Sequence, residues 1–385
     1  MRRSQTGVLV PAIFEGLPVE AFVPESLPPF PPLEMEQLLN PATEAALAIG
    51  RLDSVSTLLP DANLFIYTFV RREAVLSSQI EGTQSSISDL LMYELDDPPG
   101  VPIDDVREVS NYVDALDYGI RRLRNGDEID ETLLCDSHGI LLDSTRGSDK
   151  EPGDFRTKLN WINGRHPAEA DYVPPPPEQV PPCMADLLSF IAQGQRAQAL
   201  VQAGLAHAQF ETIHPFLDGN GRLGRLLISL MLNKSGMLHE PLLYLSLYLK
   251  QNRSSYYYLL NEVRREGEWE AWLRFFLDGV RSTAETAVDM AQRLTTLIKA
   301  DRQRIQNNLS HNAAVQAVHH AISQRPINSI RGLSEMSGVS YPTASSAVHR
   351  LIDLGIAREL TGRRRDRLYA YDAYIAILNE DLAPL

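Results

Sequence analysis

Cysteine is nearly missing from this chain. Its 385 residues include two, Cys135 and Cys183, too few for a disulfide framework and without metal-ligand spacing, so a reducing compartment is expected. No apolar run approaches the roughly 18 residues that a membrane span needs. The opening stretch MRRSQTGVLVPAIFEGLPVE has only short apolar runs, interrupted by Pro11, Glu15 and Pro18, and does not read as a signal peptide. A cytoplasmic protein without membrane contact is expected. Net positive charge is missing too: 36 Lys and Arg stand against 50 Asp and Glu, a formal charge of −14. Bulk charge therefore cannot bring the chain onto nucleic acid or an anionic membrane; any nucleic-acid binding must come from a local basic patch. No repeat of solenoid period occurs. What is present is an ordinary globular balance, 44% hydrophobic and 22% charged, which excludes wholesale disorder. At roughly 150 residues per domain the length suits two or three domains.

Helical periodicity dominates the pattern. Residues 24–32 (PESLPPFPP) form a stiff, extended lead-in. From about Leu33 to Met92 the pattern is helical, broken at Leu59, Pro60 and Asp61. Phe65, Phe69, Leu76, Ile80, Ile87 and Leu91 recur close to helical spacing, with Gly82 after Glu81 as a helix end. Asp97, Pro98, Pro99 and Gly100 make a break, and helices are predicted over 103–124 and 131–142. The stretch 152–182 differs. Asn163 and Gly164 between β-prone residues predict a small hairpin, followed by a proline-stiffened loop. Helical periodicity resumes at Met184 and runs to about Asn308, its polar part from 282 onward read as a connector. The tail from His311 reads as a separate small domain. The expected fold class is mainly α, with domains at 1–100, 101–300 and 301–385.

The most informative stretch is HPFLDGNGRLGR at 214–225. Gly219 and Gly221 flank Asn220 directly before an apolar helix. Glycines let backbone N–H groups curl into a nest, and a helix N-terminus adds roughly half a positive charge, which together suit a phosphate. Arg222 and Arg225 are three apart and project from one side of a helical turn; arginine pairs bidentately with phosphate oxygens. Asp218 is a carboxylate able to hold Mg²⁺ beside substrate phosphates. His214 alone here has an ordinary pKa near neutrality, which makes it the natural general base. Base, metal carboxylate, anion nest and arginine clamp describe phosphoryl or nucleotidyl transfer. The plainer reading, a polar glycine loop before a core helix, leaves five complementary elements within twelve residues unexplained.

This stretch resembles the signature of the Fic family, HPFxDGNGRxGR, at every fixed position, and the lead-in HAQFETI at 207–213 resembles it as well. Pro152, Gly153, Asp154, Phe155 and Arg156, then Asn160, Trp161 and Ile162, resemble the family's flap. The segments 253–260 and 269–279 resemble the part that closes the nucleotide pocket. The resemblance covers roughly residues 30–280. It implies a Fic-type helical bundle with a small β-hairpin flap, and protein adenylylation: His214 takes the proton of a Tyr, Ser or Thr hydroxyl on a target protein, including the protein itself, and that oxygen attacks the α-phosphate of ATP. In that scheme Asp218 holds Mg²⁺. Gly219, Asn220, Gly221 and Arg222, followed by Leu223 and Gly224, belong to the nucleotide-binding stretch, and Arg225 engages the γ-phosphate. Leu159, Asn160, Trp161 and Ile162 form the flap that pins the target as an added strand. The resemblance also admits a homodimer.

Ser77, Glu81 and Gly82 in SSQIEG fit the family's inhibitory pattern, [S/T]xxxE[G/N]. A glutamate at a helix end beside Arg225 would satisfy its guanidinium and put negative charge where the γ-phosphate belongs. Alone, a serine–glutamate spacing of four and a Glu-Gly helix end are common. The same glutamate could instead position a water for removal of AMP from protein. Tyr256 and Tyr257 offer aromatic faces for adenine, as the resemblance implies, the alternative being a helix that packs one tyrosine and exposes the others; His207 is expected to be a satisfied structural histidine. From Asn328 to Tyr371 the pattern resembles a winged helix-turn-helix, with eight arginines against four carboxylates between Arg325 and Tyr371. That basic patch is the candidate DNA surface; a protein-docking module with a basic loop is the alternative. A nucleotide-sensing, DNA-binding transcriptional regulator is the alternative to an enzyme.

Overall fold

A computed structural model describes residues 6–58, 63–95, 101–194, 198–308 and 313–380. The breaks expected at Leu59, Pro60 and Asp61 and from Asp97 to Gly100 lie outside the described residues. The first element is an antiparallel hairpin, β1 (Gly7–Phe14) and β2 (Leu17–Pro24), turned by Glu15 and Gly16 at φ of 51° and 81°. Pro11 stands opposite Glu20 in the register. A two-stranded ribbon consists of edge strands only, so its prolines are tolerated there, and the prolines that obscure the alternation in sequence do not prevent it in space. β2 buries Val19 and Ala21 at period two. The Phe22 N–H donates to the Val173 carbonyl at 2.9 Å, which fastens the hairpin to the segment behind the flap.

A helical body follows: α1 (Met35–Leu58), α2 (Asn63–Ile80), α3 (Ile87–Tyr93), α4 (Ile103–Arg124), α5 (Glu131–Leu141), α6 (Val180–Ala192), α7 (Ala199–Ile213), α8 (Asn220–Lys234), α9 (Ser246–Gln251), α10 (Arg253–Glu266) and α11 (Trp269–Asn308). In α7 every residue but Gln202 is buried. A helix buried on all sides belongs at the centre, and α7 packs against α6, α8, α10 and α11. The stretch from 282 onward is not a connector. It is the second half of the 40-residue α11, and it buries Ala284, Ala287, Met290, Ala291, Leu294 and Ile305. Packing of α11 against α1, α12 and α15 explains why small and apolar residues recur among the polar ones.

The last unit holds α12 (Ala313–Gln324), β3 (Ile327–Ser329), α13 (Ile330–Ser337), α14 (Tyr341–Asp353), β4 (Arg358–Glu359), β5 (Leu368–Ala370) and α15 (Asp372–Asn379). Its sheet is antiparallel in the order β3-β5-β4. Ser329 caps α13 by accepting the Gly332 N–H at 3.1 Å, and Gly338 ends it at φ 69°. This unit sits directly on the helical body. Arg72 of α2, fully buried, donates to the carbonyls of Leu378 and, at 2.7 Å, of Glu380. Leu91 of α3 shares a small apolar cluster with Ile327, Leu368, Ala370 and Ile375. So α2 carries the C-terminal unit along its middle and reaches the candidate site at its end. Among the described residues no helix is long and apolar enough to cross a membrane.

Candidate active site

The loop between α7 and α8 is over-determined by its surroundings. His214 closes α7 in the left-handed region, φ 50° and ψ 61°, with its N–H bonded to the Phe210 carbonyl at 2.9 Å. A non-glycine residue there is uncommon and is held only when neighbours fix it. Asn220 supplies one clamp: its Oδ1 accepts the Phe216 N–H at 2.9 Å and its Nδ2 donates to the Phe216 carbonyl at 2.8 Å. His138 of α5 stacks on Phe216 at 3.8 Å. Its Nδ1 accepts the Gly153 N–H at 2.9 Å, so Nε2 carries the proton and donates to the Asp218 carbonyl, also at 2.9 Å. Arg156 is the third clamp. Buried, it donates from Nε to the His214 carbonyl at 2.8 Å and from Nη2 to the Pro175 carbonyl at 2.6 Å, while its backbone N–H reaches the Pro215 carbonyl at 2.9 Å. A cation on the last carbonyls of α7 is also favourable to that helix's dipole.

These clamps shape a cavity of about 280 Å³ lined by His214, the residues 217–222, Arg225, Glu81, Glu211, Tyr256, Tyr257, Asn160, Trp161 and Ile162. Gly219 starts α8 at φ 78°, and no side chain caps this helix, so the first-turn N–H groups are left to an anion. Side chains from the end of α2 lie beside this turn. Arg225 donates to the Ser77 hydroxyl at 2.8 Å, to the Ser77 carbonyl at 3.0 Å and to Glu81 Oε1 at 2.7 Å. A Cβ on Gly221 would collide with the same Glu81 oxygen; the carboxylate lies in the space that glycine leaves open above the first turn of α8. Burial pushes Glu81 toward its neutral form, but Arg225 outweighs this, with Arg222 and His214 acting in the same sense, and the carboxyl is held below its ordinary range. Burial, then the charge of Arg156, brings His214 down to about 4, so its imidazole is neutral at pH 7 and free to accept a proton.

The remaining expected residues divide. Arg222 lines the cavity, yet its guanidinium is buried against Glu108 of α4 at 3.1 Å and lies 3.7 Å from Asp218. Tyr256 is buried and Tyr257 is 40% exposed, their rings 4.9 Å apart at the cavity wall. His207 is a satisfied structural residue, its two ring nitrogens meeting the Gly224 carbonyl at 3.0 Å and the Tyr256 hydroxyl at 2.9 Å. Two expectations are corrected. Leu223 turns fully into the core, and Gly224 faces α7 against Glu211, Phe210 and His207, so neither lines the cavity. Gly82 turns the chain at φ 100° just after Glu81, the helix end expected there. In the flap, Asn163 and Gly164 have positive φ, 58° and 77°, as a tight hairpin turn requires. The strand pairing is nonetheless a single antiparallel bridge, Ile162 with Tyr172, because Pro167 and the prolines from 174 to 177 withhold the N–H donors a ladder needs. Asn160 donates to the carbonyls of Phe216 and Leu217 at 3.3 Å, and Leu159 and Trp161 line an adjoining groove. Phe14 of β1 meets Trp161 edge-on at 5.0 Å, a neighbour the sequence did not suggest. Glu108 and His138 carry no such local signal, and Arg156 and Glu211 lie in the matched flap and lead-in stretches without their roles being marked.

The ion pair of Glu108 and Arg222 gives a direct test of this packing. Both side chains are at least 96% covered, and removing one partner of a buried pair leaves an uncompensated charge, typically costing about 3–5 kcal/mol. Glu108→Ala is expected to lower the unfolding free energy by about that amount, read by denaturant melts. A loss below about 1 kcal/mol would show that the pair is solvated.

The Fic/DOC family N-terminal domain matches residues 39–121, and the Fic/DOC family domain matches residues 128–232. "Protein adenylyltransferase Fic" of Drosophila grimshawi is 28% identical over 174 residues, 42% of this chain and 33% of that protein. The protein of the same name from Drosophila mojavensis is 29% identical over 157 residues, 39% of this chain and 28% of that protein. The chain thus matches about a third of the length of these curated relatives. Among solved structures, a Fic family protein from Desulfovibrio desulfuricans G20 is similar with a TM-score of 0.56 at 22% identity, over 90% of this chain and 98% of that one. Fic-1 from C. elegans gives 0.51 at 21% identity, over 68% and 75%. Likeness at this identity shows the mainly helical Fic fold. The chain thus carries matches to both Fic/DOC family domains, over residues 39–121 and 128–232, on the mainly helical Fic fold.

Proposed function

We propose that the chain is a protein adenylyltransferase that moves AMP from ATP onto a Tyr, Ser or Thr hydroxyl of a target protein. One observation carries this: a neutral His214 shares a single cavity with an uncapped helix N-terminus and the guanidinium groups of Arg222 and Arg225. A phosphate-binding seat alone needs no base; a base beside it needs a proton to take. In the reaction the target hydroxyl gives its proton to His214, its oxygen bonds to the α-phosphorus, and the bond from that phosphorus to the bridging oxygen breaks to release pyrophosphate. The first turn of α8 and Arg225 receive the outer phosphates.

Asp218 fits Mg²⁺. Its side chain is 41% exposed at the cavity, with Oδ1 accepting the Gly219 N–H at 2.6 Å. Among the described residues no group of three or more His, Cys, Asp or Glu could hold a metal ion, so the cation would share the phosphate oxygens, as Mg²⁺ prefers. Bound there, it would offset charge on the polyphosphate. Glu81 is the brake in this reading, since its carboxylate lies over Gly221 and engages Arg225. Incubation with ATP labelled at the α- or the γ-phosphate tests the proposal. Protein should keep the α-label alone; retention of the γ-label would mean phosphate transfer and contradict it.

We also propose that residues 328–371 form a winged helix-turn-helix surface for duplex DNA. Of the eight arginines from Arg325 to Tyr371, Arg358 is tied to Asp372 at 2.6 Å and Arg325 lies over the Tyr67 ring, whereas Arg363, Arg364, Arg365 and Arg367 stand exposed between β4 and β5. Replacing Arg363, Arg364 and Arg365 by Ala should weaken duplex binding and flatten its log–log salt dependence by about 3, at roughly 0.9 per lost phosphate contact. Absence of binding by the unaltered protein at low salt would contradict this reading.

A further inference from the structure

One wall of the cavity is a carboxyl that the transfer chemistry does not use. Glu211 lies in the last turn of α7, three residues before His214, and it is buried. Its Oε1 has no hydrogen-bond partner among the described residues, and neither has Nη1 of Arg225, which lines the same cavity. An unmatched acceptor and an unmatched donor thus stand at one ligand-sized space, and a buried polar atom left so is costly unless something arrives to meet it. The fold makes room for this carboxyl: a Cβ at Gly224 would come within 2.7 Å of Oε1.

Arg225 therefore has two acidic neighbours of different kinds. Glu81 comes from the end of α2, where Gly82 turns the chain. Glu211 is fixed on the central helix. We propose that Glu211 takes up a proton from solvent when the polyphosphate enters, so that nucleotide binding is coupled to protonation of this carboxyl. The proposal rests on the nucleotide reading given above. Polyphosphate brings negative charge to the cavity that Glu211 walls, where an ionised, desolvated carboxylate repels it. A proton on Glu211 removes the repulsion, supplies an O–H donor, and leaves Arg225 to the phosphate.

The surroundings make this uptake small in cost. Burial raises Glu211 to about 7, Arg225 pulls it down, Glu81 pushes it up and Arg264 of α10 pulls it down. The other titratable groups facing it stay fixed between pH 6 and 8. His207 and His214 on its own helix are brought by burial to about 3 and about 4. Burial moves Tyr256 well above its ordinary value and Tyr257 to about 12. Glu73 also lies near 7, but it is bonded to Ser246 behind α2 and does not line the cavity.

The test is calorimetric binding of α,β-methylene ATP, which cannot release pyrophosphate, with Mg²⁺ at pH 7 in two buffers of different ionisation enthalpy. The proteins are Glu81→Gly and Glu81→Gly with Glu211→Gln; Glu211→Met replaces the amide if that variant does not fold. The nucleotide's own titration is common to both and cancels in the difference. A net proton uptake is expected in the first protein and its loss in the second. For a carboxyl raised by one unit on binding, affinity in the first should also weaken roughly fivefold from pH 6 to 8 relative to the second. Equal proton counts and parallel pH profiles would overturn the proposal. No binding heat in either folded protein would overturn the nucleotide reading itself.

Discussion

Glu81→Gly is expected to raise incorporation of AMP from α-labelled ATP by roughly 10- to 100-fold over the unaltered protein. The magnitude follows from what the side chain does. A hydrogen bond between charged groups is worth about 1.5–3 kcal/mol, discounted here because the Glu81 carboxyl is 34% exposed, and each 1.36 kcal/mol is about tenfold in rate. Removal acts twice in the same direction, freeing Arg225 and emptying the space over Gly221. It should cost little stability, because Ser77 still accepts from Arg225 through its hydroxyl and its carbonyl. Glu81→Gln should give an intermediate rise, since it keeps the shape and loses the charge. Unchanged labelling in a folded Glu81→Gly protein would show that this contact does not restrain the site.

Loss of His214 has the opposite sign. A positioned general base typically contributes about 10²- to 10⁴-fold, and the turnover of a His214→Asn variant is expected to fall within that range with nucleotide affinity retained. Asn is the cleaner choice because it tolerates the left-handed backbone found at 214. The pH profile follows from the low pKa. The imidazole is neutral above about 4, so this group should hold the rate down only as pH falls through that value and impose no limb near neutrality. Retained turnover in His214→Asn would remove the base assignment. A fall in affinity equal to the fall in rate would recast His214 as a binding residue.

How much of this was legible depends on where each residue's partner lies. His214, Asp218, Gly219, Gly221 and Arg225 are legible because one loop and one helical turn bring them together; their proximity is local and survives folding. Glu81 was legible only as part of a pattern, since its partner is 144 positions away. Glu108, His138 and Arg156 act through distant elements, on Arg222, Phe216 and the end of α7. Nothing in the neighbourhoods of Glu108 and His138 marks them, and Arg156 is marked only as part of the flap stretch, because the burial that gives an ion pair or a capping cation its importance is a tertiary property. Leu223 shows the converse error: a position inside a functional motif turned out to serve the core, as helical periodicity after Asn220 would have required. The first hairpin was hidden by Pro11 and Pro18, which read as breaks although edge strands accept them.

Intact-mass and peptide spectrometry of the Glu81→Gly protein after incubation with ATP and Mg²⁺, beside Glu81→Gly with His214→Asn, tests the central claim most directly. The account predicts addition of AMP units to Tyr, Ser or Thr side chains in the first protein and none in the second. No addition in either folded protein, or addition that persists without His214, would contradict it.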